Sequence, residues 1–220
     1  MSAQLIDLQN ICVGFPQKTV LEGLSLQVDK GSLVLIEGAT GSGKTTLISL
    51  LSGGLGMQAG FGRVVGFDLP GISSYDLTAM RRRLGIVFQS PRFLDQETVL
   101  TNVSLPLAII GTSRSECRSR GTRALMDANL ASQARRLPSE LSGGEKARLQ
   151  IARALIHRPF LLLADEPFAH LDSESASAAE ALITKAHARG TTVLVTTHQP
   201  TKLAKTAIRY SMENGALYSC

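Results

Sequence analysis

The hydrophobic and polar positions alternate along the chain between a two-residue and a helical period. Residues 4–8 alternate, and residues 24–28 do so again between Gly23 and Gly31; both predict strands. The apolar run 33–37 predicts a short buried strand leading through a glycine-rich turn into a helix over 44–51. Residues 84–88 read as a further strand. From about 98 to 129 the pattern is helical, with a break near Gly111 and Thr112. Residues 137–141 form a loop carrying Pro138. Ser142 then has the character of a helix N-cap, with Glu145 three residues on as in a capping box. That helix runs to about His157 and stops before Pro159. A continuous apolar strand follows over 160–164. The amphipathic helix over 173–188 carries Ala176, Ala179, Leu182, Ile183 and Ala186 on one side. A β-branched strand over 191–196, a short helix over 201–205 and a hairpin of 208–212 with 216–218 around Asn214-Gly215 complete the chain. Strands alternating with helices imply an α/β protein with a mostly parallel sheet, and residues 98–157 read as a helical insertion between two of its strands. No internal repeat is visible.

Composition narrows this picture only slightly. A chain of 220 residues suits one domain, or one domain with a small insertion. With 44% hydrophobic and 19% charged residues, it is neither disordered nor of low complexity. Trp is absent, so the core rests on Leu, Ile, Val and Ala. The net charge of +5 could suit a polyanionic partner, but the basic residues are dispersed. Arg81, Arg82 and Arg83 form the densest run, and a second group is scattered over 114–136. They read as a solvated helix face, and no specific nucleic acid is expected. Cys12, Cys117 and Cys220 are odd in number, far apart and not in metal spacing, which suits a reducing, cytosolic compartment. Neither a leader peptide nor an apolar run of the roughly 18 residues that span a bilayer is visible, so a membrane role is expected to come through a partner.

Three segments carry chemistry. Gly38-Ala39-Thr40-Gly41-Ser42-Gly43-Lys44-Thr45 matches the phosphate-binding loop pattern in full, between an apolar strand and a helix. Its glycines let backbone N–H groups turn toward the phosphates, and the following helix points its positive end at them. Lys44 adds a point charge, and the Thr45 hydroxyl suits Mg²⁺. The apolar strand before Asp165 and Glu166 brings two carboxylates to the carboxyl edge of a parallel sheet, where ligands bind. Asp165 suits Mg²⁺, and Glu166 suits a general base for the attacking water. Leu141-Ser142-Gly143-Gly144-Glu145 makes a second anion site at a helix N-terminus. One nucleotide does not need two such sites from one chain; two copies facing head to tail would use both.

These segments, in this order, resemble the nucleotide-binding domain of the ATP-binding-cassette (ABC) ATPases over essentially the whole chain. The resemblance implies a P-loop NTPase with a RecA-like parallel-sheet core, an N-terminal antiparallel β-subdomain and a helical signature subdomain. It implies one domain over 1–220, with about 1–88 and 158–220 forming the β-subdomain and core and about 89–157 the helical subdomain. The cofactors it implies are ATP and Mg²⁺. Phe15 would stack on adenine, where Tyr is commoner in the family. Gly38, Ala39, Thr40, Gly41, Ser42, Gly43, Lys44, Thr45 and Thr46 would hold the phosphates. Thr45, Gln89 and Asp165 would reach the metal, Gln89 also sensing a membrane partner. Ser142, Gly143, Gly144, Glu145 and Asp172 would meet the nucleotide of the opposing copy. Glu166, His198, Lys44 and Gln89 would be catalytic, His198 facing the γ-phosphate. The chain departs from the family pattern in places: Phe168 stands where Thr or Ser is usual, Ala169-His170 where small or amide residues are, Glu145, followed by Lys146, where Gln commonly ends the signature, and Gln199-Pro200 where Asp is common.

Within the family the chain is most similar to small bacterial cassettes of the FtsE, LolD and MacB type. Residues 82–89, 93–95 and 98–107 lean to the cell-division branch, and residues 138–145 equally to lipoprotein release. The resemblance therefore implies a homodimer on ATP binding and an integral membrane subunit, FtsX-like or another permease, at the cytoplasmic face of the inner membrane. Phe93, Leu94 and Val99 present an apolar face either to a short helix of that partner or to the insertion's own core. A DNA-maintenance ATPase of the same superfamily would need long coiled coils, a translation factor two cassettes and a P-loop kinase no Leu141-Ser142-Gly143-Gly144 segment; a scaffold that binds ATP without hydrolysis is the other class of reading.

Overall fold

The computed structural model describes residues 4–15 and 18–220; the side chain of Phe15, and with it the adenine-stacking expectation, lies outside the described residues. In chain order the elements are β1 (Gln4–Phe15), β2 (Lys18–Asp29), β3 (Leu33–Glu37), α1 (Lys44–Leu51), β4 (Ala59–Val64), β5 (Phe67–Asp68), α2 (Ser74–Arg81), β6 (Leu84–Val87), α3 (Val99–Ile109), α4 (Arg114–Asp127), α5 (Gly143–Leu155), β7 (Leu161–Asp165), α6 (Ser173–Ala188), β8 (Thr192–Thr197), β9 (Ile208–Glu213) and β10 (Ala216–Ser219).

Two sheets result. One is antiparallel, in the order β2-β1-β4-β5; the other has the order β10-β9-β3-β8-β7-β6, parallel throughout except for β10 at its edge. β1 and β2 are much longer than the segments 4–8 and 24–28 predicted from alternation. The physical reason is a register shift between Leu8 and Ile11, where Asn10 takes a φ of 51° and resets which face each side chain meets. β4, β5 and α2 were not visible in the pattern at all. The apolar strand expected over 160–164 instead begins at Leu161, leaving Phe160 exposed, and takes in Asp165.

Alternate side chains of the parallel strands divide the interior. Val34, Ile36, Leu161, Leu163 and Leu194 pack with Leu47, Leu50 and Leu51 of α1, which thereby lies between the two sheets. Leu35, Leu162, Val193 and Val195 face the other way, onto Ile151 of α5 and Ala179 and Ile183 of α6. The departure at Phe168 belongs to this second core, where the ring is buried. A third cluster joins α3, α4 and α5 through Val103, Leu107, Leu125 and Leu149. Val99 is fully buried there and so serves the insertion's own core; Phe93 is partly buried against the cluster, and Leu94 is exposed. Most of the arginines of α4 are exposed, as a solvated face requires, while Arg120 reaches the carbonyl of Ile156 at 2.7 Å.

Candidate active site

Strand order and register assemble the site. Glu37 pairs with Thr197, Thr196 with Asp165, and Ala164 with Val87, so β3, β8, β7 and β6 end nearly level. The residues that follow these strands therefore line one carboxyl edge: the loop at 38–43 after β3, His198 after β8, Glu166 after β7, and Gln89 shortly after β6.

The loop after β3 is held from behind. Gly38 donates its N–H to Thr197 O at 3.2 Å, and Gly215 in the β9–β10 turn donates to Ser42 O at 2.9 Å. A side chain at Gly38 would run into the Met212 carbonyl, so the backbone passes there only as glycine. Gly43, at a φ of 113°, caps α1 in a conformation that L side chains rarely adopt. The Ser42 hydroxyl is buried without a hydrogen-bond partner among the described residues, which suits a loop shaped to meet a phosphate oxygen. A cavity of about 530 Å³ opens between residues 38–42 and 211–214.

Lys44 and Glu166 are both buried and meet each other. The Lys44 ammonium donates to Gly38 O at 2.7 Å and Ala39 O at 2.9 Å, and stands 3.3 Å from Glu166 Oε1. The other carboxylate oxygen, Oε2, accepts from the His198 backbone N–H at 3.1 Å and lies 2.8 Å from His198 Nδ1. Glu166 thus joins Lys44, at the start of α1, to His198, just after β8. It does so at a φ of 47°, a left-handed conformation that a non-glycine residue holds at a cost of about 1–3 kcal/mol. Its own N–H donates to Thr196 O at 3.0 Å, which fixes that turn. Asp165, buried beside it, accepts from the Thr196 hydroxyl at 2.7 Å through Oδ1. Thr45 is exposed on the first turn of α1, Thr46 is half-buried, and Ala39, Thr40 and Gly41 are exposed. No cluster of three or more His, Cys, Asp or Glu suited to a metal exists among the described residues. The donor set at the site, a hydroxyl at Thr45 and a carboxylate at Asp165, fits a hard cation that takes its remaining oxygens from phosphate and water, as Mg²⁺ does.

The capping box at Ser142 forms as the sequence predicts. Ser142 Oγ accepts from Glu145 N–H at 3.2 Å while the Ser142 N–H donates to Glu145 Oε2 at 2.9 Å, completing a capping box. That backbone N–H holds the Glu145 carboxyl below the usual carboxylate range. Ser142 and Gly143 are exposed. Gly144 lies against Ser175, whose N–H (2.8 Å) and hydroxyl (2.8 Å) both donate to Asp172, the N-cap of α6. The Ser142 loop and Asp172 are therefore neighbours, but no hydrogen bond joins either to residues 38–46 among the described residues. Gln89 is exposed and makes no side-chain hydrogen bond among the described residues. His170 is exposed at a φ of 62°, and Gln199 closes a tight turn with the Thr197 hydroxyl at 3.0 Å.

The motif reading missed Gln150. It belongs to the stripe Ala147, Gln150, Ile151 and Ala154, the buried face of α5, and its amide donates to Phe88 O at 2.9 Å, one residue before Gln89. A polar residue in an otherwise apolar helical stripe was the available signal.

Comparison with known proteins identifies the family and the fold. Residues 21–169 match the family model described as ABC transporter. The lipoprotein-releasing system ATP-binding protein LolD of Porphyromonas gingivalis is 39% identical over 217 residues, covering 98% of this chain and 99% of that protein. The cell division ATP-binding protein FtsE of Haemophilus influenzae is 37% identical over 196 residues, 88% of this chain and 90% of that one. Among solved structures, a dimeric ATP-binding cassette in a post-hydrolysis state bound to ADP and Pi superposes with a TM-score of 0.88 at 29% identity, covering 97% of this chain and 98% of that chain.

Proposed function

The chain belongs to the ABC transporter family of ATPases, and from that premise we propose that it is the ATP-hydrolysing subunit of a membrane complex, working as a homodimer that closes on ATP and opens after hydrolysis. The observation that carries the reading is the separation of the two anion sites. The loop at 38–45 sits beside Glu166 and His198, whereas the exposed Ser142 loop is bonded only to its own helix and surroundings. A second copy facing head to tail supplies the missing half.

In this mechanism the nucleotide's phosphates compete for Lys44, drawing it from Glu166 toward the loop. Glu166, freed of its cation, polarises the attacking water, an effect worth about 10²–10⁴-fold. His198 holds the carboxylate in place through two donors and presents its ring to the γ-phosphate. Thr45 and Asp165 would hold Mg²⁺, with Gln89 reaching it from the neighbouring strand end; the ion supplies charge neutralisation of the phosphates. Phe15 would stack on the adenine, and Asp172 and the residues 142–145 of one copy would complete the site of the other.

No helix among the described residues is long and apolar enough to cross a membrane, so attachment to the cytoplasmic face of the inner membrane runs through an integral partner. Two partners are favoured by different observations. The nearly end-to-end match to a lipoprotein-release ATPase supports a lipoprotein-release permease; residues 82–89 and 98–107, with the match to a division ATPase, support an FtsX-like subunit in cell division. Purification of the Glu166→Gln protein from native membranes with ATP and Mg²⁺, followed by mass spectrometry, distinguishes them. Recovery of a permease of either kind is the expected result and selects the partner; recovery of DNA or ribosomes with no membrane protein contradicts the proposal.

A further inference from the structure

We propose that Gln150 is a positioning residue that fixes the start of the Gln89 loop to α5, making that helix a rigid link between the Ser142 anion site and Gln89. The inference rests on the reading of Gln89 given above as the residue that reaches the metal and senses the partner.

The loop after β6 is tied down at three places. Gln150, only 2% exposed, donates its amide to Phe88 O at 2.9 Å. The Phe88 ring points outward and is exposed, so the carbonyl and not the ring anchors this residue. Farther along, the Arg153 guanidinium lies over the Phe93 ring, 4.9 Å from its centre. At the far end, fully buried Asn102 of α3 accepts from Leu94 N–H at 2.8 Å and donates to Leu94 O at 3.0 Å. Two of the three ties come from α5, whose own N-terminus is the Ser142 capping box. Gln150 lies about 10 Å along the helix from that end. A buried amide on an apolar stripe is unfavourable unless bonded, and its protein partner here is the carbonyl one residue before Gln89. When phosphates engage the Ser142 site, α5 moves as a body, and the Phe88 carbonyl and Gln89 move with it.

The test uses the full chain. In the Glu166→Gln background, backbone amide exchange of residues 88–94 is read by mass spectrometry with and without ATP and Mg²⁺, for the parent and for Gln150→Met, which keeps volume and removes the donor. Gln150→Ala is the second variant if Met disturbs the fold. Steady-state hydrolysis against Mg²⁺ concentration is read for Gln89→Ala, Gln150→Met and the double variant with Glu166 intact. Loop exchange in Gln150→Met should accelerate about 5- to 30-fold, the effect of one unmade buried hydrogen bond, with the exchange of α6 unchanged. Its Mg²⁺ requirement should rise, with no further rise in the double variant. Unchanged loop exchange, or a hydrolysis defect that adds in full to that of Gln89→Ala, overturns the proposal. If Gln89→Ala alone leaves the Mg²⁺ dependence unaltered, the reading of Gln89 is what fails, and loop exchange alone decides the role of Gln150.

Discussion

Glu166 carries the most information of any single residue. It is buried, it holds a left-handed backbone conformation, and its carboxylate is shared between Lys44 and His198. Glu166→Gln keeps the shape and removes the charge that competes for Lys44. It should lower hydrolysis by at least about 10²-fold while tightening ATP binding by at least about tenfold, the worth of about one hydrogen bond to a charged group. Phosphate release and equilibrium binding check the two halves separately. A second residue-level prediction concerns His157, whose ring Nε2–H donates to Leu84 O at 3.0 Å. Burial pushes its pKa below the usual histidine range. The unfolded chain then binds more protons as pH falls through about 6.5, so the contribution of His157 to stability is present above that pH and lost below it. His157→Leu should show a smaller fall in Tm than the parent between about pH 7.5 and pH 5.5. At this scale the motif residues were legible because their order and spacing are local in sequence. The Lys44–Glu166–His198 contact was not, because it joins the start of α1 to residues after β7 and β8 that only the parallel register brings level.

Elements with a strong period were legible almost to the residue. β3, α1 and α6 have the bounds that their patterns predict, and the helix after Ser142 begins where its capping box says it should. The segment from Ala59 to Arg81 was not legible, for physical reasons. β4 carries Gly60 and Gly62, so its alternation has few side chains to display, and α2 buries only Met80. Both sit at the margin of the antiparallel sheet and core, where tertiary contacts rather than pattern decide the structure. The capping box of α5 gives the prediction at this scale. Ser142→Ala removes the acceptor for Glu145 N–H and should cost about 1 kcal/mol of stability, read by chemical denaturation. The same change should weaken nucleotide-driven association without altering ATP binding to a single copy, because among the described residues no hydrogen bond joins Ser142 to residues 38–46.

For the whole molecule, the parallel sheet gathers the loop at 38–43, the carboxylates and His198 on one edge, and the N-terminus of α5 carries the Ser142 loop, bonded apart from them. Together with the similarity over nearly the full length to a dimeric cassette bound to ADP and Pi, this arrangement supports the proposal of two half-sites on one chain. The proposal of two half-sites starts in the sequence, from an excess of phosphate-binding motifs, but the sequence could not show that Gly144 lies against Ser175, which is bonded to the N-cap at Asp172. The central claim is that two copies close around the nucleotide, and the most direct measurement is the mass of the Glu166→Gln protein by light scattering, with and without ATP and Mg²⁺. The account predicts that the mass doubles on addition of ATP and returns to that of one chain when Ser142→Arg is added to the same protein. A protein that binds ATP stoichiometrically yet keeps the mass of a single chain would contradict it.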